Sequence, residues 1–101
     1  MFSHFWKTRK FRVLIKGHNV LLRDVDTGVT ERLGFFTTRF VKARDEEAAE
    51  QKARTLVADA VAAIEPLNDP ADGPTLDVEE IEEVDEVREV KGFTFFPESG
   101  N

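Results

Sequence analysis

Apolar positions in this chain follow three patterns in turn. The first is alternation. In "KFRVLIK" (10–16), Phe11, Val13 and Ile15 point one way and Arg12, Leu14 and Lys16 the other, which predicts a half-buried strand. "GHN" (17–19) reads as a turn cluster, because Gly and Asn tolerate positive φ. "VLLRD" after it is either a return strand or a continuation past a bulge. "DVDTGVT" (24–30) is the next turn, with Gly28 at its tip. "ERLGFFTTRFVKA" then runs extended to Ala43, since its Phe, Thr and Val residues fit a pleated surface.

The second pattern is helical. Ala49, Ala53, Leu56, Val57, Ala60, Val61 and Ile64 recur at i+3 and i+4 and form one apolar stripe. Asp45 is placed to cap the free N–H groups of the first turn. Glu46 and Glu47 follow at the positive end of the helix dipole. Pro66 stops the helix near Ile64. Half of the stripe is alanine, so the helix should lie close to its sheet, with phenylalanines supplying the bulk. "PLNDPADGP" (66–74) is a connecting loop.

The third pattern is ambiguous. Leu76 and Val78 alternate, but Val78, Ile81, Val84, Val87 and Val90 recur every third residue, which fits neither period. A strand from Thr75 to about Val84, bulged near Glu79–Glu80, is expected; a helix over 77–90 is the alternative. "GFTFFPE" is a short extended segment.

Together these give a ββαβ order. They predict an α+β two-layer sandwich, an antiparallel-rich sheet covered by one main helix, with a ferredoxin-like arrangement in view. A helical connection makes a parallel pairing of the last strand feasible. Residues 1–9 form an N-terminal arm, 10–98 the single domain and 99–101 a frayed tail. One sheet face should then stay open.

Composition narrows the chemistry. The chain of 101 residues has no cysteine, which excludes disulfides and thiol catalysis. The N-terminus shows no apolar core of a secretory signal, and no run of roughly 18 apolar residues occurs. The expectation is a cytoplasmic protein with no membrane segment. Net charge is −6, but residues 1–44 carry +7 and residues 45–101 carry −13. The halves either pair inside the fold or face partners.

Few residues suggest catalysis. The two serines, Ser3 and Ser99, lie near the ends, and the histidines are His4 and His18, so no Ser–His–acid set can be named. His18 reads as turn chemistry. "DVDTG" resembles half a calcium loop, but Val29 and Phe35 stand where Gly and Glu are required. No phosphate-binding glycine motif occurs. The acidic run Glu79, Glu80, Glu82, Glu83, Asp85, Glu86, Glu89 suits a solvated face or basic neighbours better than a cation site. No metal, cofactor or small molecule is expected, and the chain reads as non-enzymatic.

The densest stretch is "GFFTTRFVKA" (34–43). Phe36, Thr38 and Phe40 are assigned to the helix face. Phe35, Thr37, Arg39 and Val41, joined by Leu14, are assigned to the open face as an interface for a second copy or a protein partner. On that reading Arg39→Ala costs little stability and alters self-association. Two alternatives stand beside it. One is a nucleic-acid module using Trp6, Lys7, Arg9, Lys10, Arg12 and Lys16 with the arm and first strand. The other is an enzyme with a pocket of Arg39, Thr37, Thr38 and acids of the last strand.

"GFFTTRFVKA", the Ala/Glu-rich helix, "GPTLDVEEIEEV" and "GFTFFPE" together resemble a family of small uncharacterised bacterial proteins, over about Phe11 to Glu98. The resemblance implies a small α+β domain. It implies no activity, cofactor or site.

Overall fold

The computed structural model describes residues 8–90 and 92–98. Its elements are β1 (Arg9–Arg23), β2 (Thr30–Ala43), α1 (Glu46–Ala63), a single 3₁₀ turn (Pro70–Asp72), β3 (Thr75–Glu83) and β4 (Thr94–Pro97). The strands form one sheet in the order β3-β1-β2-β4, with every neighbouring pair antiparallel. The α+β class and the single helix layer are therefore as expected. The element order is ββαββ, one strand more than ββαβ, and the described residues hold one α-helix where a ferredoxin-like unit has two. β3 pairs antiparallel with β1. It is parallel only to β2, with β1 between them.

The N-terminal arm assigned to residues 1–9 falls mostly on 1–7, which lie outside the described residues, as does the 99–101 tail. Arg9 already belongs to β1.

"GHN" is not a turn between strands. β1 runs through it for 15 residues, and the register with β2 slips from Gly17↔Phe35 to Val20↔Leu33. His18 and Asn19 form a bulge, with Asn19 at φ 62, the left-handed region that Asn tolerates best after Gly. One extra residue reverses side-chain parity along the strand. Phe11, Val13 and Ile15 face the core before the bulge, Val20 and Leu22 after it. A second slip, between Leu14↔Glu80 and Ile15↔Val78, leaves Glu79 as the extra residue of β3, where a bulge was expected.

Asp45 caps α1, its Oδ1 accepting from the Ala48 N–H at 2.8 Å. The helix buries Ala49, Ala53, Val57 and Val61, a strict i+4 ridge. Leu56 and Ile64 of the expected stripe stay exposed at 46% and 39%. The ridge meets Phe11, Val13, Ile15, Phe35 and Val41. Alanines let the helix come close, and the phenylalanines fill the remaining space.

Phe35 needs room that a side chain at position 17 would take. A Cβ built on Gly17 would overlap the Phe35 ring, and both residues are fully buried. Gly17→Ala should therefore destabilise the fold by about 2–3 kcal/mol, an overpacking effect. Gly73→Ala meets nothing within 4 Å and should change stability by less than about 0.5 kcal/mol. Urea unfolding midpoints of the two variants test the contrast.

Candidate functional site

The helix fixes which sheet face is covered, and it covers the face opposite to the one the sequence suggested. Phe35, Thr37, Arg39 and Val41 are buried on the helix side. Phe36, Thr38 and Phe40 face away from it, across from Lys16, Leu14 and Arg12 of β1. Four of the five proposed interface residues are thus interior. Leu14 alone stays on the open face.

Arg39 is 7% exposed, and burial lowers the pKa of its guanidinium from the ordinary value. The charge is answered by oxygens. Nη1 donates to Thr37 Oγ1, to the Thr38 carbonyl at 3.1 Å and to the Val90 carbonyl at 3.2 Å. Thr37 Oγ1 in turn donates to the Gly92 carbonyl at 2.7 Å. The Phe93 ring lies 5.4 Å from the guanidinium carbon and meets Phe35 edge-on at 4.8 Å. Arg39 and Thr37 therefore hold the connection between β3 and β4 against β2. A depression of about 190 Å³ beside Arg39 is lined by Phe40, Leu56, Arg88, Glu89 and Val90. It holds one carboxylate, where the proposed pocket called for several.

The basic residues of β1 face the acids of β3. Arg9 forms a two-pronged pair with Glu83 at 2.9 and 3.1 Å, which holds the Glu83 pKa below its ordinary value. Arg12 reaches Glu82 at 2.7 Å and also Glu80. Lys10 Nζ donates to the Asp85 carbonyl at 3.1 Å. Two of the ten Lys and Arg residues of the basic half are thus joined to carboxylates of the acidic half across the β1–β3 ladder. Trp6 and Lys7 lie outside the described residues.

What remains on the open face is apolar with one cation at its centre. Lys16 Nζ sits 5.5 Å from the Phe36 centroid and 5.7 Å from that of Phe96. The two rings lie 5.5 Å apart. Phe96 occupies the space left by Gly34, whose Cβ would meet its ring. Phe36 is 37% exposed, and Leu14, Phe40 and Phe96 are half-buried. At one end Arg12 and Phe40 share a depression of about 410 Å³ with Glu82, Val84, Asp85, Glu86 and Arg88.

A second constellation, absent from the sequence reading, is built on the β1 bulge. His18 Nδ1 lies 3.0 Å from Glu98 Oε2, and Nε2 lies 2.8 Å from Asp77 Oδ2. The Asn19 N–H donates to Glu98 Oε1 at 2.8 Å. The Asn19 side-chain amide donates to Asp72 and Gly73, and Asn68 returns a hydrogen bond to the Asn19 carbonyl at 2.7 Å. Each ring nitrogen of His18 is thus met by a carboxylate. His18 ties β3 and the end of β4 to β1, and Asn19 ties the connecting loop. A positive-φ tolerant Asn after a His was the available signal; distant acids as its partners were not.

Among the described residues no group of three or more His, Cys, Asp or Glu side chains has the geometry to hold a metal ion, and no helix is long and apolar enough to cross a membrane. Compared with protein-family models, with curated proteins and with solved structures, the chain matches none of them.

Two outcomes test these placements. Arg39→Met leaves the Thr38 and Val90 carbonyls without their donor and should lower stability by about 2–3 kcal/mol, read as a shift of the urea midpoint; an unchanged midpoint contradicts the buried position. Glu98 supplies a pH dependence. Burial alone would raise its pKa, but the hydrogen bonds from the Asn19 N–H and from His18 outweigh this and hold it below the ordinary value. A lowered folded-state pKa gives stability that is complete above the unfolded value of about 4.3 and is lost as pH falls through the folded one. Glu98→Gln should therefore flatten the acid limb of the stability curve below about pH 5, and an acid limb identical to that of the unmodified chain would contradict it.

Proposed function

We propose that this is a non-enzymatic interaction domain that self-associates through the open face of its sheet. One observation carries the reading: the face without a helix bears Leu14, Phe36, Phe40 and Phe96 around Lys16. An apolar sheet face flanked by polar residues favours a protein surface as its cover. A second copy fits because the two sides of the face carry opposite charge, with Asp77, Glu80 and Glu82 on β3 and Lys42 at the end of β2. A two-fold axis lying in the plane of the interface and running along the strands between β1 and β2 sets the acidic β3 side of one copy against the β2 side of the other.

The position of Lys16 beside two half-exposed rings favours a second reading, single-stranded nucleic acid stacked on Phe36 and Phe96. Arg9 and Arg12, named for that role with Lys7, Lys10 and Trp6, are engaged by carboxylates, which weighs against it. The cytoplasmic location expected from the sequence is kept as part of the proposal.

Light scattering tests the first reading. At about 0.1 mM the chain should have a mass above its 11.5 kDa monomer, and Phe36→Glu should weaken association at least roughly tenfold with little change in unfolding midpoint. Retention of the same mass by the variant contradicts the reading. Salt-sensitive binding of a single-stranded oligonucleotide at about 50 mM salt, lost in Lys16→Ala, would favour the second instead.

A further inference from the structure

The core-facing side of the β1–β2 hairpin is longer than the helix that covers it. Eighteen helical residues span about 27 Å, whereas the 15 residues of β1 span about 50 Å. Past the bulge this side continues with Val20 and Leu22 on β1 and with Leu33 on β2. α1 has ended by then. Glu65 at φ 53 turns the chain away, and the Leu67 N–H bonds to the Leu21 carbonyl at 2.8 Å. Ile64 and Leu67 are thereby laid over the distal end, where Phe95 of β4 joins them. Ile64, Leu67 and Phe95 are 39%, 52% and 39% exposed.

They surround a depression of about 430 Å³ with Leu22, Arg23 and Glu65. Three of the nine exposed large apolar side chains among the described residues thus line one depression. It lies on the opposite side of the sheet from Phe36. Two charges of opposite sign border it, and neither Arg23 nor Glu65 forms an ion pair with another described residue.

We infer that this distal patch is a second self-association surface, distinct from the open face, whose occupant is another copy of the chain. An apolar centre with one cation and one anion on its border is self-complementary. A two-fold axis through the centre sets Arg23 of each copy against Glu65 of the other and packs Ile64, Leu67 and Phe95 on their equivalents. A lone apolar ligand would leave both charges unanswered, and an unrelated protein would need the same paired charges in the same order. With two isologous surfaces on one protomer, dimers made by the open face pair again into a tetramer or an open chain.

Light scattering on a set of variants separates the two surfaces. The chain should exceed a dimer. Leu67→Glu, at an exposed position, should reduce it to a dimer, and Leu67→Glu combined with Phe36→Glu should leave a monomer. Arg23→Glu should also reduce the mass to a dimer, and Arg23→Glu with Glu65→Arg should restore it, which general loss of apolar area would not do. Circular dichroism confirms that each variant stays folded. A wild-type dimer broken by Phe36→Glu and untouched by Leu67→Glu and Arg23→Glu overturns this inference and leaves the proposed function standing. A dimer broken only at the distal patch does the reverse. A monomer at about 0.1 mM overturns both.

Discussion

The helix is about half as long as the strand it lies on, and much of the structure follows from that mismatch. A hairpin of about 50 Å presents two faces and a long edge to water. One helix of about 27 Å can dry only the proximal half of one face. Ala49, Ala53, Val57 and Val61 cover Phe11, Val13, Ile15 and Val41 there. Everything else that shields the sheet is irregular chain or the four-residue strand β4. The segment after β3 brings Phe93 onto Phe35, the proline-containing loop brings Leu67 beside Leu21, and β4 brings Phe95 and Phe96. The first two have no ladder and β4 has a short one, so each is held by specific polar contacts. Arg39 and Thr37 hold the first, Asn19 and Asn68 the second, and His18 with Glu98 the end of the third.

This gives the polar residues that hold these segments a common role. Arg39 is buried because the carbonyls of Val90 and Thr38 converge on it, and its charge strengthens those hydrogen bonds in a dry setting. His18 bridges two carboxylates at the bulge. The +7 and −13 halves of the chain meet mainly along β1 and β3, where Arg9 and Arg12 pair with Glu83, Glu82 and Glu80. These pairs are partly exposed and each is worth little in stability. Their consequence lies in specificity. β3 is a free edge, and its carboxylates oppose pairing with a like edge from another copy.

The sequence was most legible where one physical signal acted alone. The helix was plain from its i+4 spacing, its Asp45 cap and Pro66. The face of β1 was plain from the alternation in 10–16. β3 and its bulge followed from the β-branched residues that fit no single period. The stretch 34–43 was misread because both of its faces carry phenylalanine. Arg39 was then the deciding residue, and a charge argues for solvent unless its partners are known. Those partners include the Thr37 hydroxyl, the carbonyls of Thr38 and Val90 and the Phe93 ring, and no local pattern displays the two distant ones. The bulge at His18–Asn19 removed the other guide, since one inserted residue breaks the parity count along β1. The same holds for the candidate surfaces. That a sheet face stays open follows from having one long helix, but which side chains it bears depends on register.

The central claim is that the apolar side chains outside the reach of α1 are the ones that meet a partner. Backbone amide NMR spectra recorded over a dilution series test it residue by residue. Resonances of Leu14, Phe36 and Phe96 on the open face and of Leu22, Leu67 and Phe95 at the distal end should move with concentration, while those of Arg39, Thr37, Ala53 and Val57 stay fixed. Concentration-independent spectra, or shifts centred on Thr37 and Arg39, would contradict it.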